Sequence, residues 1–150
     1  MRPQYKPLGP RILVVEDDAA VLELVVTRLE VAGFQTFSAR DGIDALARVA
    51  KLRPAGMVLD VNMPRMDGFG VLERLREKNL IASTPTLVLT ARNNQDDVRR
   101  AIELGARDYL AKPFKDEQLI SRVRRLLQQR ARPLPANPPT PQAADKGILL

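Results

Sequence analysis

Apolar positions along the chain gather into five short runs: ILVV at 12–15, FQTF at 34–37, GMVL at 56–59, TLVL at 86–89 and DYLA at 108–111. Four of them have the length and the β-branched and leucine content of strands, and the second, more polar run reads as an edge strand. Between the runs the apolar spacing changes to every third or fourth position, which is the helical period. Val21, Leu24, Val25, Leu29 and Ala32 share one helix face, ended by Gly33 as a C-cap glycine. Ile43, Leu46, Val49 and Ala50 mark a second helix, and Phe69, Leu72 and Leu75 a third. Val98, Ala101, Ile102 and Gly105 give a fourth, and Leu119, Ile120, Val123, Leu126 and Leu127 the fifth and clearest stripe.

Strand followed by helix, five times over, predicts an α/β fold with a parallel sheet covered on both faces. In such sheets functional groups collect at the carboxyl edge of the strands. Beyond Arg132 the chain changes to PLPANPPTPQAADKGILL, whose proline density forbids helix and central strand. The expected organisation is an N-terminal extension over 1–9, one domain over 10–130 and a Pro-rich, disordered tail over 131–150.

Composition narrows the classes. At 150 residues, 45% hydrophobic and 28% charged, the chain suits one soluble domain, and no apolar run approaches the roughly 20 residues of a membrane span. The opening MRPQYKPLGP lacks the apolar centre of a secretory signal and there is no cysteine, so a cytoplasmic location is expected. There is no histidine either, which excludes Ser-His-Asp and Cys-His centres and leaves Asp, Glu, Thr, Lys and Arg for any chemistry. The net charge of +6 is concentrated between Arg92 and Arg132, yet no aromatic residues interleave there for base stacking. A solvated face of two helices is the expected reading of that excess, with no direct nucleic-acid binding.

The strand ends carry the chemistry. Glu16, Asp17 and Asp18 follow the first run, Asp60 the third, Thr90 the fourth and Lys112 the fifth. If the first and third strands are neighbours, Asp17 and Asp60 meet at one rim, and such like charges need a cation between them. A hard divalent ion such as Mg2+ fits two carboxylates and a backbone carbonyl of the following loop. Lys112 supplies a point charge for a phosphate oxygen, Thr90 a hydroxyl donor and Asp60 a carboxylate able to attack phosphorus. Either Asp17 or Asp18 could instead cap the first helix.

ILVVEDD, VLDVNMPRMDGFGVLERLR, VLTA and GARDYLAKPF, in this order and spacing, resemble the response-regulator receiver domain of two-component signalling over about residues 11–129. The resemblance implies a flavodoxin-like, doubly wound five-stranded parallel sheet of order 2-1-3-4-5 with five helices. It also implies Asp60 as the phosphorylated aspartate, and Glu16 and Asp17 as the acidic pair that holds Mg2+ (with Mn2+ as the substitute) together with Asp60. Asn62 lends its backbone carbonyl to the metal, Thr90 and Lys112 contact the phosphate, and Thr90 and Tyr109 act as switch residues. Lys112-Pro113 is expected as a cis peptide. Pro64 and Gly68 bend the loop so that Asn62 and Met63 present backbone to the ion.

The implied partners are a histidine kinase or histidine phosphotransfer protein upstream and a protein target downstream, the latter read through the fourth helix, fifth strand and fifth helix. No helix-turn-helix pattern follows Arg132, so a stand-alone receiver is expected, with a fragment of a longer DNA-binding or hybrid regulator as the alternative. Winged-helix regulators pair through opposite charges on that face. Arg100 and Arg122 fit its basic side, but Arg107 and Gln118 stand where acids belong, which argues against the symmetric dimer. A phosphatase of the haloacid-dehalogenase type also uses an aspartate and Mg2+ but needs an acid two residues on, where this chain has Asn62. Catalysis beyond the chain's own phosphorylation and dephosphorylation is not expected.

Overall fold

The computed structural model describes residues 8–91 and 94–130, so the expectations for most of the N-terminal extension, for Arg92 and for the tail lie outside the described residues. Five strands alternate with five helices: β1 (Arg11–Val15), α1 (Ala19–Val31), β2 (Gln35–Ala39), α2 (Gly42–Leu52), β3 (Gly56–Asp60), α3 (Gly68–Glu77), β4 (Thr86–Ala91), α4 (Gln95–Glu103), β5 (Asp108–Lys112) and α5 (Asp116–Arg130). All pairings are parallel and the strand order is β2-β1-β3-β4-β5, the flavodoxin-like order, with β2 and β5 at the edges.

Strand side chains alternate between faces, so a run such as ILVV stays apolar throughout only because both faces are covered. Ile12 and Val14 of β1 pack with Val25 and Leu29 of α1 and with Leu119, Val123 and Leu126 of α5. Leu13 and Val15 pack on the other side with α2, α3 and α4 through Val49, Leu72, Leu75 and Ala101. The two layers fix the strands in register, which is what brings their carboxyl ends to one rim.

Helix ends follow local chemistry. Gly33, at φ +102, ends α1 with Gly33 N–H on the Glu30 carbonyl and Phe34 N–H on the Leu29 carbonyl, the two-bond motif that a left-handed residue permits. Gly105, at φ +111, ends α4 in the same way, with bonds to Ile102 and Ala101, so it terminates the helix and is not part of its face.

Three expectations shift. The second strand is Gln35–Ala39, because Phe34 belongs to the turn out of α1 and is buried in the core beneath it. Leu24 is 43% exposed, and Leu22 and Val26 pack in its place beside Val25 and Leu29. Ile43 is 55% exposed and Ala50 is also exposed, since the face of α2 that meets the core runs through Gly42, Ala45 and Val49. Leucine and isoleucine at those positions imitate a stripe that the helical phase does not support.

Candidate functional site

The register of β1 on β3 pairs Val15 with Leu59, so the next residues, Glu16 and Asp60, face each other beyond the sheet. Glu16 is almost fully buried, and its N–H is anchored on the Ala39 carbonyl at 3.0 Å. One carboxylate oxygen accepts the Lys112 ammonium at 3.1 Å and the other accepts the Asp18 N–H at 3.3 Å. Asp18 is the cap of α1, accepting from the N–H groups of Ala20 and Val21 at 2.9 and 3.1 Å. That settles which acid caps: the Asp17 side chain is left for the rim, while its carbonyl accepts Arg40 Nη2 at 2.8 Å.

Asp60, 3% exposed, closes β3. Its Oδ1 accepts the Asn62 N–H at 3.2 Å and lies 3.4 Å from Lys112 Nζ. Lys112 starts two strands away, about 9–10 Å across the sheet, and its four-carbon stem spans that gap. The Lys112-Pro113 peptide is cis, as the receiver resemblance implies. One carboxylate oxygen each from Glu16, Asp17 and Asp60 lies within 4.8 Å of the others.

Within this cluster the ionisation of Glu16 is displaced. Burial, and then Asp60, push the Glu16 carboxyl from its ordinary 4.5 up to about 7, with Lys112 only partly offsetting the rise. Burial alone would pull the Lys112 ammonium down, but Asp60 and Glu16 outweigh it and hold Lys112 above its usual range. A crowded set of hard oxygen ligands with a deficit of positive charge is the donor set that a small divalent cation satisfies.

Thr90, 1% exposed, stands at the end of β4, and its hydroxyl finds no hydrogen-bond partner among the described residues. Leaving such a group unpaired costs about 1–3 kcal/mol, which is recovered when an acceptor oxygen arrives. Tyr109 lies on β5, half-buried, three residues before Lys112.

The loop after β3 works differently from the expectation. Gly68 opens α3 behind the Asp67 cap and donates its N–H to the Val61 carbonyl at 3.0 Å. A Cβ there would lie 2.7 Å from the Asp60 carbonyl oxygen, so Gly68 permits close approach to the backbone that carries Asp60. The bend itself falls on Arg65, at φ +67, whose guanidinium pairs with Asp41, the cap of α2. Sequence reading missed Arg65 and Arg40 as loop clamps, and it missed Asp108. That acid, inside the run DYLA, is 8% exposed and paired with Arg122 at 2.8 Å and Arg125 at 2.6 Å. Arg100 is likewise engaged within the chain, 4.3 Å above the Phe69 ring and 3.7 Å from Glu73.

The profile of the response regulator receiver domain matches residues 12–124. The chain belongs to the response-regulator receiver family. Among relatives of this receiver, the DNA-binding dual master transcriptional regulator RpaA of Synechocystis sp. is 40% identical over 141 residues, 94% of this chain and 56% of that protein. The transcriptional regulatory protein PrrA of Mycobacterium tuberculosis is 43% identical over 122 residues, 81% of this chain and 52% of the relative. The receiver thus spans about half the length of these curated relatives. Among solved structures, a Francisella response regulator receiver domain superposes with a TM-score of 0.75 at 33% identity, covering 81% of this chain and 98% of that one. The chemotaxis protein CheY4 of Vibrio cholerae gives 0.74 at 32% identity over 79% and 98%. Among the described residues no helix is long and apolar enough to cross a membrane.

Proposed function

We propose that this receiver takes a phosphoryl group onto Asp60 from a phosphohistidine of a partner histidine kinase or phosphotransfer protein, and signals through α4, β5 and α5. The observation that carries the reading is the buried Thr90 hydroxyl, without a partner among the described residues, at the rim where Lys112 holds Asp60. Asp60 forms the new O–P bond as the donor's P–N bond breaks and the imidazole leaves with the electron pair. Lys112 stays beside the oxygens that gain charge, and the Asn62 N–H keeps the Asp60 carboxylate oriented. A Mg2+ ion, or Mn2+ in its place, held by Glu16, Asp17, Asp60 and the Asn62 carbonyl, would supply the remaining positive charge for transfer. Once Asp60 carries the phosphoryl group as an acyl phosphate, Thr90 donates to a phosphoryl oxygen, and the space it leaves receives the Tyr109 ring.

Incubation with Mg2+ and a small phosphodonor, followed by intact mass, tests this. The chain should gain one acid-stable, base-labile phosphoryl group, and Asp60→Asn should gain none while keeping its far-ultraviolet spectrum. Label on another residue would sink the assignment.

A second reading concerns output. Named transcriptional regulators about twice as long match the chain well, which supports a receiver that works as part of a DNA-binding regulator over one that acts alone. The mass of the endogenous protein on an immunoblot separates the two, since a band near 16.7 kDa means a stand-alone receiver.

A further inference from the structure

We propose that Asp108, Arg122 and Arg125 form the joint through which a change in β5 reaches α5, so that Asp108 and Arg122 are positioning residues of the switch; this rests on the reading of Asp60 and Thr90 above. Asp108 opens β5 with its carboxylate buried. Its Oδ1 accepts Arg122 Nη1 at 2.8 Å and the N–H of Tyr109 at 2.8 Å, and its Oδ2 accepts Arg125 Nη2 at 2.6 Å. The same Arg122 nitrogen also donates to the Tyr109 carbonyl at 3.1 Å. Two arginines one helical turn apart therefore grip two consecutive residues of β5, the second being Tyr109.

Beside this cluster α5 meets the sheet through apolar Leu119, Val123 and Leu126. Apolar contact is non-directional and tolerates sliding, whereas charge-assisted bonds fix distance and angle. Well-packed apolar residues would serve stability as well as a buried ion pair does, so the cluster's distinct contribution is geometric. Thr90 pairs with Ala111 and Val88 with Tyr109 in the β4–β5 register, which places the joint on the neighbouring strand, with Tyr109 two residues before the position opposite Thr90. A displacement of Tyr109 is transmitted to α5 through Arg122, and removal of the joint leaves α5 in place while β5 moves.

The experiment uses the full chain with Arg122→Gln, Asp108→Asn, the double variant and the conservative Arg122→Lys. Intact mass after Mg2+ and a small phosphodonor reports labelling, and far-ultraviolet spectra report folding. Hydrogen–deuterium exchange with and without the label then reports α5. The expected result is wild-type labelling in every variant, a label-dependent exchange change across α5 in the wild type, loss of that change in Arg122→Gln and the double variant, and partial return in Arg122→Lys. If Asp108→Asn fails to fold, Arg122→Gln alone decides, because its side chain is one-third exposed and Arg125 still pairs with the buried Asp108 carboxylate. An unchanged α5 response in Arg122→Gln, or none in a labelled wild type, overturns the joint. A wild type that takes no label overturns the reading of Asp60, and the joint falls with it.

Discussion

Glu16 holds the least comfortable charge at the rim. Its folded value of about 7 exceeds the ordinary 4.5, so the folded chain binds the proton more tightly than the unfolded one. By linkage, the stability this contributes is complete below about pH 4.5 and is lost as pH rises through about 7. A divalent cation held by the ionised form would oppose that loss. Without Mg2+ the melting temperature should therefore fall between about pH 5 and about pH 8, and saturating Mg2+ should raise it more at the upper end. Differential scanning calorimetry at the two pH values checks this, and an equal gain at both would remove Glu16 from the metal set. The strand-end rule made Glu16, Asp60, Thr90 and Lys112 legible in sequence, because a carboxylate or amine closing an apolar run has nowhere to go but the rim. Asp108 was illegible because it sits inside such a run, and its compensation by Arg122 and Arg125 comes from the next helix, 14 and 17 residues on, beyond the reach of a local pattern.

Elements place these residues by caps and close approaches. Asp18, Asp41 and Asp67 each cap a helix that starts at the functional rim, and the loop between β3 and α3 is pressed onto the backbone of Asp60. Gly68→Ala would put a methyl group 2.8 Å from the Val61 Cα, against main chain that cannot step aside. The expected cost is about 1–3 kcal/mol with slower labelling of Asp60. At Gly70 the close approach is to the flexible Met66 side chain at 2.8 Å, with Asp67 Oδ1 in ordinary contact at 3.6 Å, so Gly70→Ala should be cheaper. Urea unfolding and intact-mass kinetics on both variants check the contrast; equal costs would assign the effect to helix propensity. Gly33 was readable as a terminator because the apolar stripe stops at it. Gly68 was read as a bend, since sequence shows that a glycine is needed but not whether a turn or a neighbouring backbone demands it. Helix faces were read correctly where the phase was strict, as in α5, and wrongly where a large apolar residue lay off it, as at Leu24 and Ile43.

Across the molecule, parallel strands and returning helices sort charge by pole. Helix starts with Asp44, Asp96, Asp97, Asp116 and Glu117 surround the Asp60 rim, while Lys51, Arg53, Arg76, Lys78 and Arg107 lie where helices end and strands begin. The arrangement complements the helix dipoles, and around Asp60 these acids outnumber the cations Arg40, Arg65 and Lys112. On the proposed function an excess of acids would repel a small anionic phosphodonor on approach, and added salt shortens the screening length to about 8–10 Å or less. Labelling of Asp60 by such a donor, at fixed Mg2+, should therefore quicken as ionic strength rises. Stopped-flow rates across a salt series test this, and a rate that falls with salt would mean that the rim attracts the donor.

The clamp on Tyr109 bears on how anything can bind beside it. An edge strand with open main-chain groups invites a further strand to add to the sheet, but at β5 the Tyr109 N–H and carbonyl already bond to Asp108 and Arg122. A ligand that meets this edge at Tyr109 must be recognised there by side chains, because the backbone groups of that residue are already engaged.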